Sequence, residues 1–237
     1  MNADRIAKER LNVILLVDTS KSMEGNRIKQ VNEAVLDIKK YLKDLQVENS
    51  NVDFYITVIS FSNFANFYDN QKMVNVESLK FDGLSTGGWS NLHYAYQSLG
   101  EILNKESKGG IMPDFGGIAP IILLLTDGHP TGNQFKEELK KIENLPWFKA
   151  ALRYGIAIEL NDTRTTKVLK DFVGTNGDVI KCFDSSMLKN IIKIIVLTAS
   201  KVKSTCSKVS YNKHESQNKQ MQQMIAEALT DTEEWEW

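Results

Sequence analysis

The chain of 237 residues has little of what marks several protein classes. Its two cysteines, Cys182 and Cys206, are too few for a disulfide scaffold and predict unpaired thiols in a reducing compartment. Its histidines and cysteines form neither a C-x-x-C nor an H-E-x-x-H motif, which argues against a zinc centre. The sequence also lacks a run of about 20 apolar residues, so no transmembrane helix is expected.

The charge and the first residues exclude further classes. Lysine plus arginine number 29 and aspartate plus glutamate 30, so the net charge of −1 gives no sign of bulk nucleic-acid binding or polybasic membrane attachment. The segment MNADRIAKER is too charged to begin a signal peptide, and the apolar run after it is short and has no small-residue cleavage site. We therefore expect a soluble, cytoplasmic protein without a nucleic-acid or membrane partner.

Apolar runs alternate with helical periodicity along the chain. Strands are predicted where aliphatic or β-branched residues are nearly continuous, and helices where apolar residues recur every three or four positions. The alternation predicts an α/β fold, a doubly wound, mostly parallel six-stranded sheet with helices on both faces and one short antiparallel edge strand. The predicted strands are 11–17, 52–61, an edge strand within 64–76, 121–125, 152–158 and 179–183, and the predicted helices are 26–45, 90–104, 134–145, 165–172 and 185–199.

Oxygen-bearing side chains follow two of the predicted inner strands. Asp18, Ser20 and Ser22 come directly after the first strand, and Asp127 comes at the end of the strand 121–125. In open α/β sheets, ligands bind outside the carboxyl ends of the strands, where the strand order reverses. If the first segment stays extended, the three side chains of D-x-S-x-S point to one side. The alternative is that they only cap the helix that follows.

Carboxylates and hydroxyls without thiolate or imidazole form a set of hard oxygen ligands. Such a set suits Mg²⁺, Mn²⁺ or Ca²⁺ rather than zinc or copper. Mg²⁺ takes only one or two carboxylates and keeps several waters, so an outside ligand can fill a remaining coordination position. The pattern therefore predicts a divalent-cation site at the carboxyl edge of the sheet.

Three ordered segments resemble the von Willebrand factor type A domain, namely LLVDTSKSM, GGWSNLHYAYQSL and ILLLTDGHPTG. The family pattern is D-x-S-x-S, then a distant threonine at a loop-to-helix junction, then an aspartate followed by glycine; together they form the metal-ion-dependent adhesion site. The resemblance covers about 12–199. Ser90 matches the threonine position, with Thr86 as the competing candidate, and Trp89 is a candidate for the rim. The implied metal ligands are Asp18, Ser20, Ser22, Ser90 and Asp127.

In this family the metal does no chemistry, and it presents an open position that a glutamate or aspartate of a partner completes. The resemblance therefore implies a non-enzymatic protein–protein interaction module that depends on Mg²⁺, Mn²⁺ or Ca²⁺. Which aspartate binds the metal directly stays open. More narrowly, the chain resembles stand-alone cytosolic bacterial members associated with tellurium resistance. That resemblance implies a scaffold in a stress-response or defence-linked phosphorylation system, with kinase-like and phosphatase-like partners.

Two other classes of function stay as alternatives. A metal-dependent hydrolase or phosphatase would use the same Asp/Ser site, but the position two residues after Asp18 is Ser20 rather than the second carboxylate that an aspartyl-phosphate phosphatase needs. A metal-free peptide or nucleic-acid binder would use the aromatic segment 61–68. That segment lacks interleaved lysine or arginine, and edge-strand packing explains it as well.

The composition divides the chain into a lead, a folded domain and a partly disordered tail, predicted at 1–10, 11–200 and 201–237. The tail has too few apolar residues to form its own core. One interpretation is a solvated or lightly docked tail that mild proteolysis clips from about Ser207. The other is a tethered peptide whose Trp235 and Trp237 anchor in a groove, in which case an acidic residue such as Glu234 would reach the metal of a neighbouring molecule.

Overall fold

The computed structural model describes residues 8–48, 51–159, 162–175, 177–184, 186–191 and 193–194. The strands of this part are β1 Glu9–Asp18, β2 Val52–Phe61, β3 Ala65–Phe67, β4 Val74–Asn75, β5 Ile121–Thr126, β6 Leu152–Ile158 and β7 Gly177–Cys182. Its helices are α1 Asn26–Glu48, α2 Leu92–Ile102, α3 Phe135–Ile142, α4 Pro146–Ala150 and α5 Thr163–Val173, and residues 186–191 are also helical.

The strands form one sheet in the order β3-β2-β1-β5-β6-β7, with β4 also paired to β2. The five longer strands run parallel, whereas β3 and β4 pair antiparallel with β2. The predicted α/β fold is confirmed. The described residues give seven strands rather than the predicted six, because the stretch 64–76 forms two short strands instead of one. Asp69 and Asn70, both with positive φ, turn the backbone between them.

Both faces of the sheet are covered, and β1 shows this residue by residue. Val13 and Leu15 belong to the core formed with α1 and the helical residues 186–191. Ile14 and Leu16 belong to the opposite core, formed with α2, α3, α4 and α5. All four side chains are fully buried. A strand buried on both faces needs a continuous aliphatic run, which explains why β1 does not alternate between apolar and polar residues.

The helices differ from the prediction at one break. The helix predicted at 134–145 ends at Ile142, and a separate short helix begins at Pro146. Proline is favoured in the first turn of a helix, because a backbone N–H at that position has no hydrogen-bond acceptor within the helix and its absence costs nothing. Within the described residues, no helix combines the length and the apolar character that a membrane crossing requires.

Parts of two predictions lie outside the described residues. The helix predicted at 185–199 is described at 186–191 and 193–194, where it is helical. The tail at 201–237, with Trp235, Trp237 and Glu234, lies wholly outside. The predicted domain limits and the predicted clipping of the tail stay predictions.

The strand order places a crevice at the centre of the sheet. β1 and β5 are hydrogen-bonded neighbours, and the chain continues from β1 to β2 on one side and from β5 to β6 on the other. The strand order therefore reverses between β1 and β5, the point at which open α/β sheets bind ligands. Asp18 ends β1 and Thr126 ends β5, so the two segments singled out in the sequence meet here.

Candidate metal centre

The side chain of Asp18 forms the floor of the site and is completely buried. Its Oδ1 accepts a hydrogen bond from Ser20 N at 2.9 Å, and its Oδ2 accepts from the hydroxyls of Ser90 at 2.8 Å and Thr126 at 2.7 Å. Burial raises the pKa of this carboxyl, and the hydrogen bonds from its neighbours oppose that shift. These donors are all neutral. They fill the hydrogen-bonding capacity of the carboxylate oxygens but do not cancel the negative charge of the carboxylate. A bound cation would cancel that charge.

The two serines of D-x-S-x-S connect the end of β1 to the end of β5. Ser20 Oγ and Ser22 Oγ lie 3.1 Å apart, and Ser22 Oγ donates to Asp127 Oδ1 at 2.8 Å. Asp18, Ser20 and Asp127 are buried, whereas Ser22 is exposed. The site therefore has a buried floor of oxygen atoms and a hydroxyl at its mouth.

The loop after β1 explains why these side chains converge. The backbone is extended at Ser20 and then forms a 3-10 turn at Lys21–Met23, anchored by the buried Met23 side chain. Ser20 makes no side-chain capping hydrogen bond to this turn, and α1 begins only at Asn26. The serine hydroxyls contact each other and Asp127 instead. This geometry speaks against the alternative that the motif only caps a helix.

The structure brings Ser90 rather than Thr86 to the buried carboxylate. Ser90 is 8% exposed and donates to Asp18, and its backbone carbonyl accepts from Thr131 N at 2.7 Å. Within the described residues, Thr86 makes no side-chain hydrogen bond and is partly exposed. All five residues proposed from the sequence thus lie in one hydrogen-bonded cluster, and Thr86 lies outside it.

Three further residues of the cluster were missed by the sequence analysis: Thr126, Arg27 and Glu159. Arg27 Nη1 lies 2.5 Å from Asp127 Oδ2 and 3.0 Å from the carbonyl of Ser22. Thr126 was a visible candidate, because its hydroxyl directly precedes Asp127. Arg27 and Glu159 give no local signal, since only the packing of α1 against the end of β6 brings them near the site.

Glu159 holds the first turn of α1 against the sheet. Its carboxylate accepts from Gln30 Nε2 at 2.8 Å and contacts Arg27 Nε at 3.2 Å, and its backbone N–H donates to Cys182 O at 2.7 Å. The residue has a φ of 48°, a conformation that is uncommon outside glycine, asparagine and aspartate. Such a conformation persists where the surroundings fix it, and these contacts do so.

The donor set fits a hard divalent cation. No group of three or more His, Cys, Asp or Glu side chains in the described ranges could hold a metal ion. The cluster instead combines two carboxylates with hydroxyls, from Asp18, Asp127, Ser20, Ser22, Ser90 and Thr126. Oxygen ligands of this kind suit Mg²⁺, Mn²⁺ or Ca²⁺. Because Mg²⁺ keeps several waters, an external carboxylate can fill a remaining coordination position.

Curated relatives match this chain over a small part of their own length. Inter-alpha-trypsin inhibitor heavy chain H1 of Sus scrofa is 34% identical over 131 residues, which are 53% of this chain and 14% of that protein. The heavy chain H6 of Homo sapiens is 32% identical over 128 residues, which are 51% of this chain and 9% of that protein. The chain thus spans less than a sixth of either relative.

The fold and the family of the chain follow from a solved structure and a family model. Proximal thread matrix protein 1 from the mussel byssus superimposes with a TM-score of 0.56 at 17% identity, over 82% of this chain and 49% of that one, which shows a shared fold. The model of the von Willebrand factor type A domain matches residues 12–194. This match includes β1 from Asn12 onward, every later strand through β7 and all five candidate ligands. The chain belongs to the von Willebrand factor type A domain family.

Proposed function

We propose that this protein is a non-enzymatic interaction module that captures an aspartate or glutamate of a protein partner through a divalent cation. Its family has metal-dependent protein-interaction roles at the metal-ion-dependent adhesion site. The residues that would hold the cation are Asp18, Ser20, Ser22, Ser90 and Asp127. The observation that carries the proposal is the fully buried Asp18 carboxylate, bound by neutral donors, next to Ser22, an exposed residue whose hydroxyl binds Asp127.

Bound at these residues, Mg²⁺ or Mn²⁺ would supply a coordination position for the partner's carboxylate. Asp18 and Asp127 hold the two sides of the site, and the serines set the spacing between them. The exposed Lys21 lies within the same loop and adds positive potential at the mouth. An acidic side chain is therefore attracted before contact and bound in a partly desolvated setting, where charge-assisted contacts are strongest.

The alternative, a hydrolase or phosphatase at the same residues, has less support. Ser20 stands where an aspartyl-phosphate phosphatase would need a carboxylate. The two described histidines point elsewhere, since His129 Nδ1 lies 2.9 Å from Pro130 O and the ring of His93 contacts Tyr94. A general base must reach the proton it removes, and neither histidine contacts a hydroxyl of the site in the described residues.

The cellular role that we propose is a cytoplasmic scaffold in a bacterial stress-response or defence-linked phosphorylation system. This finer proposal rests on the resemblance to stand-alone bacterial members associated with tellurium resistance. Kinase-like and phosphatase-like proteins would be the partners. Co-purification of the tagged full chain in Mg²⁺ and in EDTA tests it, and partners of another class recovered only with Mg²⁺ would contradict this role while supporting the module.

Asp18→Asn tests the module itself. The asparagine keeps the acceptor for Ser20 N, and its amide can donate to the hydroxyls of Ser90 and Thr126, so the fold should persist. We expect Mn²⁺ affinity to fall by about 100-fold or more and Mg²⁺-dependent capture of the partner to be lost. The circular dichroism spectrum should stay unchanged. Asp44→Asn, at an exposed position of α1, makes the same charge change and should leave both properties intact. Equal capture by Asp18→Asn and the unsubstituted chain would refute the module.

A further inference from the structure

Large exposed aromatic side chains lie beside the metal centre. Trp89 is 70% exposed and Phe64 is 65% exposed, and the Phe64 ring contacts Tyr94 with 5.4 Å between centroids. We call Phe64, Trp89 and Tyr94 the aromatic rim. Trp89 directly precedes Ser90, whose hydroxyl binds Asp18. Tryptophans that are exposed in an isolated protein are typical anchors of binding interfaces.

The two loops that carry Phe64 and Trp89 are hydrogen-bonded to each other. Trp89 N donates to Asn63 Oδ1 at 3.0 Å, and Asn91 Nδ2 donates to Asn63 O at 3.1 Å. Asn91 N also donates to Ser62 O at 3.0 Å. Phe64 follows Asn63 directly, so these contacts fix the backbone of Phe64 relative to that of Trp89. An anchor held in place before binding loses less entropy when it binds.

The rim is also fixed to the metal loop. Lys21 N donates to Gly88 O at 3.1 Å, which ties the residue before Trp89 to the D-x-S-x-S turn. Gly88 has a φ of 80°, and a Cβ there would lie 2.6 Å from the side chain of Asn63. A glycine is therefore needed at this position. These hydrogen bonds hold the loops of Phe64 and Trp89 at a fixed position relative to the D-x-S-x-S turn.

The cation site and the aromatic rim together select for two properties in one ligand. The cation and the exposed Lys21 favour carboxylates, and the rim favours an aromatic or other apolar side chain. Residues 230–237 of this same chain, TDTEEWEW, combine four acidic residues with two tryptophans and contain no lysine or arginine. Acidic and aromatic residues alternate at Glu234, Trp235 and Glu236, so a carboxylate and an indole are always neighbours.

We propose that residues 230–237 dock on the surface of their own chain, with a glutamate at the metal and a tryptophan against the aromatic rim. The inference rests on the proposed function, because it needs the cation. The connection, residues 195–229, has 35 residues. It spans about 50 Å if helical and more if extended, against about 40 Å across a domain of this size. Residues 230–237 would thus compete with an acidic partner for the same cation site.

A synthetic peptide of residues 228–237 tests the inference by calorimetric titration into two full-length chains. One is the unsubstituted chain, and the other carries Asp231→Asn, Glu233→Gln, Glu234→Gln and Glu236→Gln, so that its own segment has lost all four acidic side chains. We expect the peptide to bind the substituted chain in Mg²⁺ and about tenfold or more weakly in EDTA. The unsubstituted chain should bind it at least about threefold more weakly, because its own segment competes.

The rim is tested in the same substituted chain. Trp89→Ala should weaken peptide binding by about tenfold. Phe115→Ala is the matched control, since Phe115 is 91% exposed and belongs to another loop, and it should leave binding unchanged. Equal losses from both substitutions would overturn the assignment of the rim.

The outcomes separate this inference from the proposed function. If Mn²⁺ binds the chain but the peptide does not bind, or binds equally well in EDTA, the inference is wrong and the module stands. Equal peptide affinity of the two chains also overturns it. If Mn²⁺ does not bind, both are wrong. A Mg²⁺-dependent dimer in light scattering would assign the segment to a second copy and overturn docking within one chain.

Discussion

The guanidinium of Arg27 lies 2.5 Å from Asp127 Oδ2, next to the proposed cation site. Ser22 donates to the other oxygen, Oδ1, so both oxygens of this carboxylate are engaged. The Asp127 side chain is only 1% exposed, whereas Arg27 is 31% exposed. Arg27 therefore supplies a countercharge to a buried carboxylate. A divalent cation at the same carboxylate would take over that role and would be repelled by the guanidinium.

Arg27→Gln should separate the stabilisation of Asp127 by the guanidinium from the repulsion between the guanidinium and a cation. Without a cation, the variant should be less stable by about 1–3 kcal/mol, because a buried carboxylate loses its charged partner. With saturating Mg²⁺, the rise in melting temperature should exceed that of the unsubstituted chain, since the cation replaces the lost charge without repulsion. Arg27→Lys keeps the charge and should behave more like the unsubstituted chain. Melting curves in Mg²⁺ and EDTA measure both, and an equal or smaller Mg²⁺ effect in Arg27→Gln would contradict the competition.

Ser90→Ala and Thr86→Ala test which hydroxyl belongs to the site. Ser90→Ala removes the donor to Asp18 Oδ2 and should weaken Mn²⁺ binding by about tenfold. Thr86→Ala removes a hydroxyl without a hydrogen bond in the described residues and should leave the affinity unchanged. Calorimetric titration with Mn²⁺ gives both values. Weaker binding in Thr86→Ala alone would reverse the assignment.

Cys182 should be unreactive in the folded protein. Its side chain is buried and contacts Asp184 O at 3.2 Å, and burial raises the pKa of the thiol to about 11. At pH 8 we therefore expect iodoacetamide to label it far more slowly than a free thiol and at a normal rate in denaturant. Mass spectrometry of the Cys182 peptide measures this. Fast labelling of Cys182 itself in the folded chain at pH 8 would contradict the burial.

The same shift has a consequence for stability. The folded pKa lies above the ordinary value of 9, so the unfolded chain loses this proton first. The contribution of Cys182 to stability should be complete below about pH 9 and should be lost as the pH rises through about 11. Cys182→Ala removes the thiol, and its stability should fall less steeply over this window in urea unfolding.

Arg153 should stabilise the fold without affecting the site. The residue is 6% exposed, and its guanidinium donates to the carbonyls of Phe148, Phe172 and Val173, near the carboxyl ends of α4 and α5. Burial lowers its pKa to about 10, so it stays protonated at neutral pH. Arg153→Met leaves these carbonyls without donors and should cost about 2–4 kcal/mol in urea unfolding.

Arg153→Lys serves as a control variant, and a Mn²⁺ titration shows whether Arg153 affects the cation site. Arg153→Lys keeps the charge but not the forked geometry, and it should recover only part of the loss. Arg153 lies near the start of β6, at the sheet edge opposite the cation site, so Mn²⁺ affinity should be unchanged in both variants. A large loss of Mn²⁺ affinity at a temperature where the variant is folded would show that the two regions are coupled.

What could be predicted from the sequence follows from local pattern. Continuous aliphatic runs identify strands buried on both faces, and the D-x-S-x-S and T-D-G segments each follow such a run. The fold class and Asp18, Ser20, Ser22 and Asp127 can therefore be predicted from pattern, whereas Ser90 follows only from the resemblance to the family. The second short edge strand and the break before Pro146 depend on turn geometry that the pattern does not show. Arg27 and Glu159 lie 132 residues apart in sequence, and only tertiary packing makes them neighbours.

Glu159 binds three residues near the start of α1, Asn26, Arg27 and Gln30. Arg27 in turn binds Asp127, so a carboxylate at the sheet edge is connected directly to a helix of 23 residues, about 35 Å long. A change in the charge at Asp127 therefore alters the force that holds the start of this helix.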